Sequence, residues 1–223
     1  MSGRHVVVST HFDDAALSLG GSVDGALVVT VRAGVPADPL VNPEWDARCG
    51  FSSAEEAVAA RRAEDRVSCA VLGWEPVHLD LPDGQYGDPV DPVTVREAVA
   101  EQVGPEDLLW VPAGIGHTDH LATRDALLPL LAERPSGLGR LYADLPYVGR
   151  LGRRIRSRRH LGVELGRVVV CRVAAGRMAR KRAGIEAHAS QLAALRQGFP
   201  AFDASLRAEA WWPVGPMRPA SFS

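Results

Sequence analysis

His5-Val6-Val7-Val8-Ser9-Thr10-His11-Phe12-Asp13-Asp14-Ala15-Ala16-Leu17-Ser18-Leu19-Gly20-Gly21 joins a β-branched run to a polar loop and then to a small-residue stretch closed by two glycines. Strand, loop, helix is the reading, and it makes a βα unit. Residues 26–31 give a second Val-rich strand. Residues 33–51, with three prolines, fit neither the helix nor the strand period and read as a long loop able to cover a site. Ser53 and Glu56 form a capping-box signature, and the helix they open should run to Leu72 before Gly73 stops it. Strands are expected at 75–81, 107–111, 141–144 and 167–173. Helices are expected at 93–103, at 119–133 with a kink or stop at Pro129, and at 177–196 with Met178, Ile185, Leu192 and Leu195 along one stripe. Trp211-Trp212 reads as part of an edge strand. Strands alternating with helices give an α/β fold with a mostly parallel sheet.

A chain of 223 residues can bury a full core as one domain, and no repeat or composition shift divides 1–223. Its net charge of -2 gives no general case for nucleic acid or a membrane surface, so partners must be argued from sites. Thr10, His11, Asp13 and Asp14 interrupt the N-terminal apolar run, and no other run is long enough for a membrane span. Cys49, Cys69 and Cys171 are odd in number and widely spaced, which fits a reducing cytoplasm better than a disulfide framework.

The chemistry lies in two clusters that each follow a strand, where open α/β sheets place their sites. His11, Asp13 and Asp14 follow the first strand, and His117, Asp119 and His120 follow the strand at 107–111. A catalytic zinc needs three protein ligands and one open position, and His11, Asp14 and His120 can supply the three. Asp13 is then the free carboxylate able to accept a proton from water. His117 can protonate the leaving amine or hold the oxyanion, if the Asp119 carboxylate orients it and keeps it cationic. Taken singly, an Asp-Asp pair at a strand end is also an ordinary helix N-cap.

Residues 11–21 resemble the H-x-D-D-x-x-L-x-x-G-G motif of the zinc-dependent N-acetylglucosaminyl deacetylase superfamily, the LmbE-like or PIG-L-like proteins. His117-Thr118-Asp119-His120 resembles its H-x-D-H motif. Arg61-Arg62-Ala63-Glu64 leading to Leu72-Gly73, Tyr142-Ala143-Asp144-Leu145-Pro146-Tyr147, and His188-Ala189-Ser190-Gln191 extend the similarity over most of the chain. The resemblance implies a Rossmann-like sheet with helices on both faces and one Zn2+ per chain, although the same ligands accept iron or cobalt. It implies hydrolysis of an N-acetyl group from an amino sugar or glycosylated small molecule. It gives His11, Asp14 and His120 as ligands, Asp13 as base, and His117 as the acid or oxyanion partner oriented by Asp119. The chain departs from the family pattern at Phe12, Ala15 and Ile115, where many or some members carry Pro, Glu and Tyr.

Arg61, Arg62 and Asp83 are candidates for substrate contact; the plain alternatives are a solvated helix face and an Asx turn. Six arginines within 150–159 form either a surface run or a site for an anionic substrate group. Trp211, Trp212 and His188 read as structural. Two further functions stay open beside the deacetylase: a zinc amidase for larger amides such as thiol conjugates, and a non-catalytic metal- or sugar-binding protein of the same fold. A homo-oligomer is compatible with all of them.

Overall fold

The computed structural model describes residues 3–147 and 163–217. The opening stretch forms β1 (His5–Ser9) and α1 (Asp14–Leu19), followed by β2 (Ala26–Thr30), α2 (Glu44–Arg48), α3 (Ala54–Leu72), β3 (Glu75–His78) and α4 (Pro92–Ala100). Next come β4 (Leu108–Pro112), α5 (Thr118–Ala132), β5 (Gly139–Tyr142), β6 (Val163–Leu165) and β7 (Val169–Arg172). The chain then runs through α6 (Ala175–Glu186), α7 (Ala189–Gly198), α8 (Phe202–Ser205) and β8 (Ala208–Met217). Five strands in the order β3-β2-β1-β4-β5 are parallel, β8 lies antiparallel beside β5, and β6 and β7 pair antiparallel with β8. The fold is α/β with a mostly parallel sheet, as the alternation of elements requires.

Alternation along β1 explains the two layers. Val7 packs with Leu17, Leu72, Ile185, Leu192 and Phe202 on one face, while Val6 and Val8 pack with Val95, Val99, Leu127 and Leu131 on the other. Because successive strand side chains point to opposite faces, a strand covered on both sides reads as an unbroken apolar run. Helices therefore lie on both faces. Gly20-Gly21 closes α1 against β8. The Gly21 N–H donates to Glu209 Oε1 (2.8 Å), which also takes Lys181 Nζ (2.6 Å) in an ion pair with no exposure. A Cβ at Gly21 would collide with Val173, so this approach requires glycine.

Several expectations need correction. Residues 177–196 are two helices, not one: the chain breaks at His188, and the Glu64 carboxylate captures the N–H and hydroxyl of Ser190 (2.8 and 2.7 Å). The apolar stripe hid this break because Ile185, Leu192 and Leu195 enter the same core on both sides of it. Trp211 and Trp212 are not in an edge strand, since β8 has β5 on one side and β6 and β7 on the other. The irregular segment 33–51 contains α2. Pro129 does not stop α5, which continues to Ala132. Ser53 does cap α3 through the Glu56 N–H (3.2 Å), but Glu56 returns to Ser52 instead of closing the box on Ser53. The 150–159 arginine run lies outside the described residues.

Candidate active site

The polar clusters meet at the carboxyl end of the parallel strands, beside the point between β1 and β4 where the strand order reverses direction. β1 delivers His11, Asp13 and Asp14; the loop after β3 delivers Asp83; β4 delivers His117, Asp119 and His120; and β5 delivers Asp144. Local hydrogen bonds fix the first loop. Asp14 Oδ2 accepts the His11 N–H (2.7 Å), and Ser9 Oγ donates to the His11 carbonyl (2.6 Å) while accepting the Ala15 N–H (3.0 Å).

His11 Nδ1, Asp14 Oδ2 and His120 Nε2 form a triangle with sides of 3.4, 3.1 and 3.3 Å. Donors bound at about 2.0–2.1 Å to one tetrahedral zinc stand about 3.4 Å apart, so these three atoms fit a shared metal. Ligand atoms of His11, His117 and His120 also lie within 4.8 Å of one another, as do those of His11, Asp83 and Asp119. His120 is fully buried, and its Nδ1 lies 2.8 Å from Asp144 Oδ1, which leaves Nε2 facing the triangle. Asp144 Oδ2 also accepts the Ile115 N–H (2.9 Å), tying the β4 loop to this ligand. Such outer carboxylates fix the ring and tautomer of a metal-binding histidine.

Asp119 does not serve the partner assigned to it from the sequence. Its carboxylate faces His11 Nε2 (3.3 Å), accepts the Gly84 N–H (3.1 Å) and lies 3.8 Å from Arg32. His117 instead caps α5, its Nδ1 accepting the Asp119 backbone N–H (3.2 Å). Nδ1 is therefore unprotonated, and the ring offers an Nε2–H donor. Burial, followed by the nearby His11 and His120, lowers the His117 pKa, so the expected imidazolium is corrected to a neutral imidazole. Gly84 is required by this arrangement, since a Cβ there would strike the Asp119 carboxylate.

The remaining charges compensate one another. Burial opposes charge on His120, but Asp14 and Asp144 outweigh it and raise its pKa to about 9. His11 is likewise raised against burial by Asp83, Asp119 and Asp14. Asp14 is held below the usual carboxylate range by His120 and His11 despite its burial. For Asp13, burial and then the adjacent Asp14 charge raise the pKa, with His188 and His11 opposing them. An elevated pKa makes Asp13 a better proton acceptor than a solvated aspartate.

These groups open into a cavity of about 480 Å³, a size suited to a small molecule. Arg61 and Asp83 line it with Trp45, Tyr86, Tyr147 and Gln191; Arg62 does not, reaching instead to the Ala33 carbonyl (2.8 Å) and Asp80 (3.1 Å). Arg61 is 3% exposed, and its Nη2 lies 2.7 Å from the fully buried Asp46. Asp46 also accepts from Tyr86 Oη (2.9 Å) and Gln85 Nε2 (3.2 Å), which locks α2, α3 and the 83–87 loop around the cavity mouth. Asp83 makes the Asx contact to Gln85 N (3.0 Å) while also facing the site. Sequence reasoning gave no role to Asp144, Asp46 or Gln191. Asp144 was accessible by the same logic as the histidines, since it too follows a parallel strand.

A Rossmann-like sheet whose strand ends gather two histidines and an aspartate in metal-binding geometry, beside a free carboxylate, defines a metal-dependent hydrolase. No family model and no curated protein matches the chain, but solved structures do. The pseudoaglycone deacetylase Dbv21 is 28% identical with a TM-score of 0.77, covering 98% of this chain and 100% of that one. The zinc-inhibited form of the teicoplanin deacetylase Orf2 is 26% identical with a TM-score of 0.78, covering 98% and 99%. The N,N'-diacetylchitobiose deacetylase of Pyrococcus horikoshii, 14% identical with a TM-score of 0.52 over 96% and 83%, shares the fold. The chain is thus similar over nearly its whole length to deacetylases of the LmbE-like, or PIG-L-like, superfamily. It is an N-deacetylase with a divalent metal as cofactor. No helix among the described residues is long and apolar enough to cross a membrane.

Proposed function

We propose that this protein removes the N-acetyl group of an amino sugar or a glycosylated small molecule, working as one domain. The observation that carries this is the 3.1–3.4 Å triangle of His11, Asp14 and His120 beside an uncommitted Asp13. In this reading His11, Asp14 and His120 hold the zinc, which when bound polarises the amide carbonyl and lowers the pKa of water to about 7. Asp13 takes the proton of the attacking water. No hydrogen bond from another side chain occupies its carboxylate among the described residues, so it is free to do this. His117, as a neutral Nε2–H donor, stabilises the oxygen of the tetrahedral adduct, and one such donor is worth about 3–4 kcal/mol of barrier. Asp13 then returns the proton to the departing amine. Asp119 holds His11 by its far nitrogen, and Arg61 and Asp83 meet the glycone.

Relatives that act on teicoplanin and on the A40926-type pseudoaglycone support a glycoconjugate substrate. A panel of N-acetylglucosamine glycosides, acetylated thiol conjugates and larger acyl amides separates this reading from the amidase. Acetate release confined to the N-acetylamino sugars is the expected result. Turnover of bulky amides with none of the acetyl sugars would favour the amidase, and metal and sugar binding without any turnover would favour the binding protein.

A further inference from the structure

His188 and Gln191 open α7, and both are buried, His188 completely and Gln191 to 6% exposure. Both ring nitrogens of His188 and Nε2 of Gln191 nevertheless lack a hydrogen-bond partner among the described residues. Buried polar atoms without partners are few in native proteins, and they concentrate where a ligand, ion or water completes the structure. Gln191 lines the active-site cavity. Its position is set independently of any ligand, because Glu64 grips Ser190, the residue before it, through two hydrogen bonds of 2.8 and 2.7 Å. Leu195, one turn further along α7, and Leu17 and Phe199 are apolar lining, so the amide is a polar point set in that wall.

We propose that Gln191 is a specificity-determining residue whose side-chain amide hydrogen-bonds a hydroxyl of the substrate's sugar ring, with His188, one turn earlier, continuing the hydrogen-bond chain inward. This rests on the deacetylase reading above. A hydroxyl is the matching group because it both donates and accepts, as does a glutamine amide, and an imidazole N–H can extend the chain. The acyl carbonyl already has the His117 Nε2–H to receive it. The cavity therefore selects a polyhydroxylated N-acetyl amine over an apolar one of the same size.

The test compares N-acetylglucosamine with N-acetylcyclohexylamine, of equal ring size without hydroxyls, on the wild type and Gln191→Met. Acetate release gives kcat and KM, and calorimetry gives binding. The expected result is a KM for the sugar raised about 10–100-fold with kcat nearly unchanged, and kcat/KM for the cyclohexyl amide unaltered. Gln191→Glu, which keeps the size and removes the donor, should share the sugar defect and serves if Gln191→Met fails to fold. An equal loss on both substrates, or no loss on either, overturns the inference. If the sugar binds, the variant weakens that binding and no acetate appears, the inference stands and the deacetylase reading falls. If the wild type neither binds nor hydrolyses the sugar, both fall.

Discussion

Replacing Asp13 by Asn should lower kcat by about 10²–10⁴-fold while leaving metal content and melting temperature close to those of the parent. Asparagine has nearly the same shape, but its amide cannot accept the proton that water must lose. Asp13 is suited to the exchange because its carboxylate sits beside the triangle without belonging to it, at 6% exposure, with burial and Asp14 raising its pKa. Single-turnover acetate release with metal analysis on the same samples checks this. Loss of activity accompanied by loss of metal would instead make Asp13 a ligand, and unchanged turnover would remove it from the reaction.

Removing a corner of the triangle should have an effect of comparable size by a different route. Asp14→Ala leaves two imidazoles facing one another across 3.3 Å and takes away the carboxylate that accepts the His11 N–H, so the first loop loses both a ligand and its brace. Zinc affinity should fall further than the roughly 10–100-fold that loss of an outer partner costs, and activity should fall with it. Asp144→Asn, which only disturbs the carboxylate behind His120, sets that milder scale. Competition titration against a chelator measures both variants. Equal affinities in Asp14→Ala and the parent would place the metal elsewhere, for example on the His11, His117 and His120 group.

Much of this was readable from the chain because the decisive features are local. The run Val6-Val7-Val8 is apolar on both faces, so it had to be an inner strand, and a polar loop directly after an inner parallel strand had to lie at the carboxyl edge of the sheet. That placed the His11 cluster, and the same reasoning from the apolar strand at 107–111 placed the His117 cluster. The partner of Asp119 was not readable, because its carboxylate is steered by the Gly84 N–H from a loop 35 residues away. Between His11 and His117, sequence spacing alone cannot choose. The break at His188 escaped for a related reason: Glu64 on α3 creates it from outside, while the apolar stripe runs on undisturbed. β8 was placed at the edge because its antiparallel neighbours, β6 and β7, carry exposed valines and little core signal; Val170 is 63% exposed.

The central claim is that His11, Asp14 and His120 hold a working metal in an N-deacetylase. Metal analysis of the purified protein, followed by chelation and stepwise return of Zn2+ with acetate release from an N-acetylamino sugar recorded at each step, tests it most directly. One zinc per chain, with activity lost on chelation and restored in proportion to the zinc returned up to that equivalent, is the predicted result. Full acetate release from metal-free protein would contradict the claim, as would stoichiometric zinc that leaves turnover unaffected.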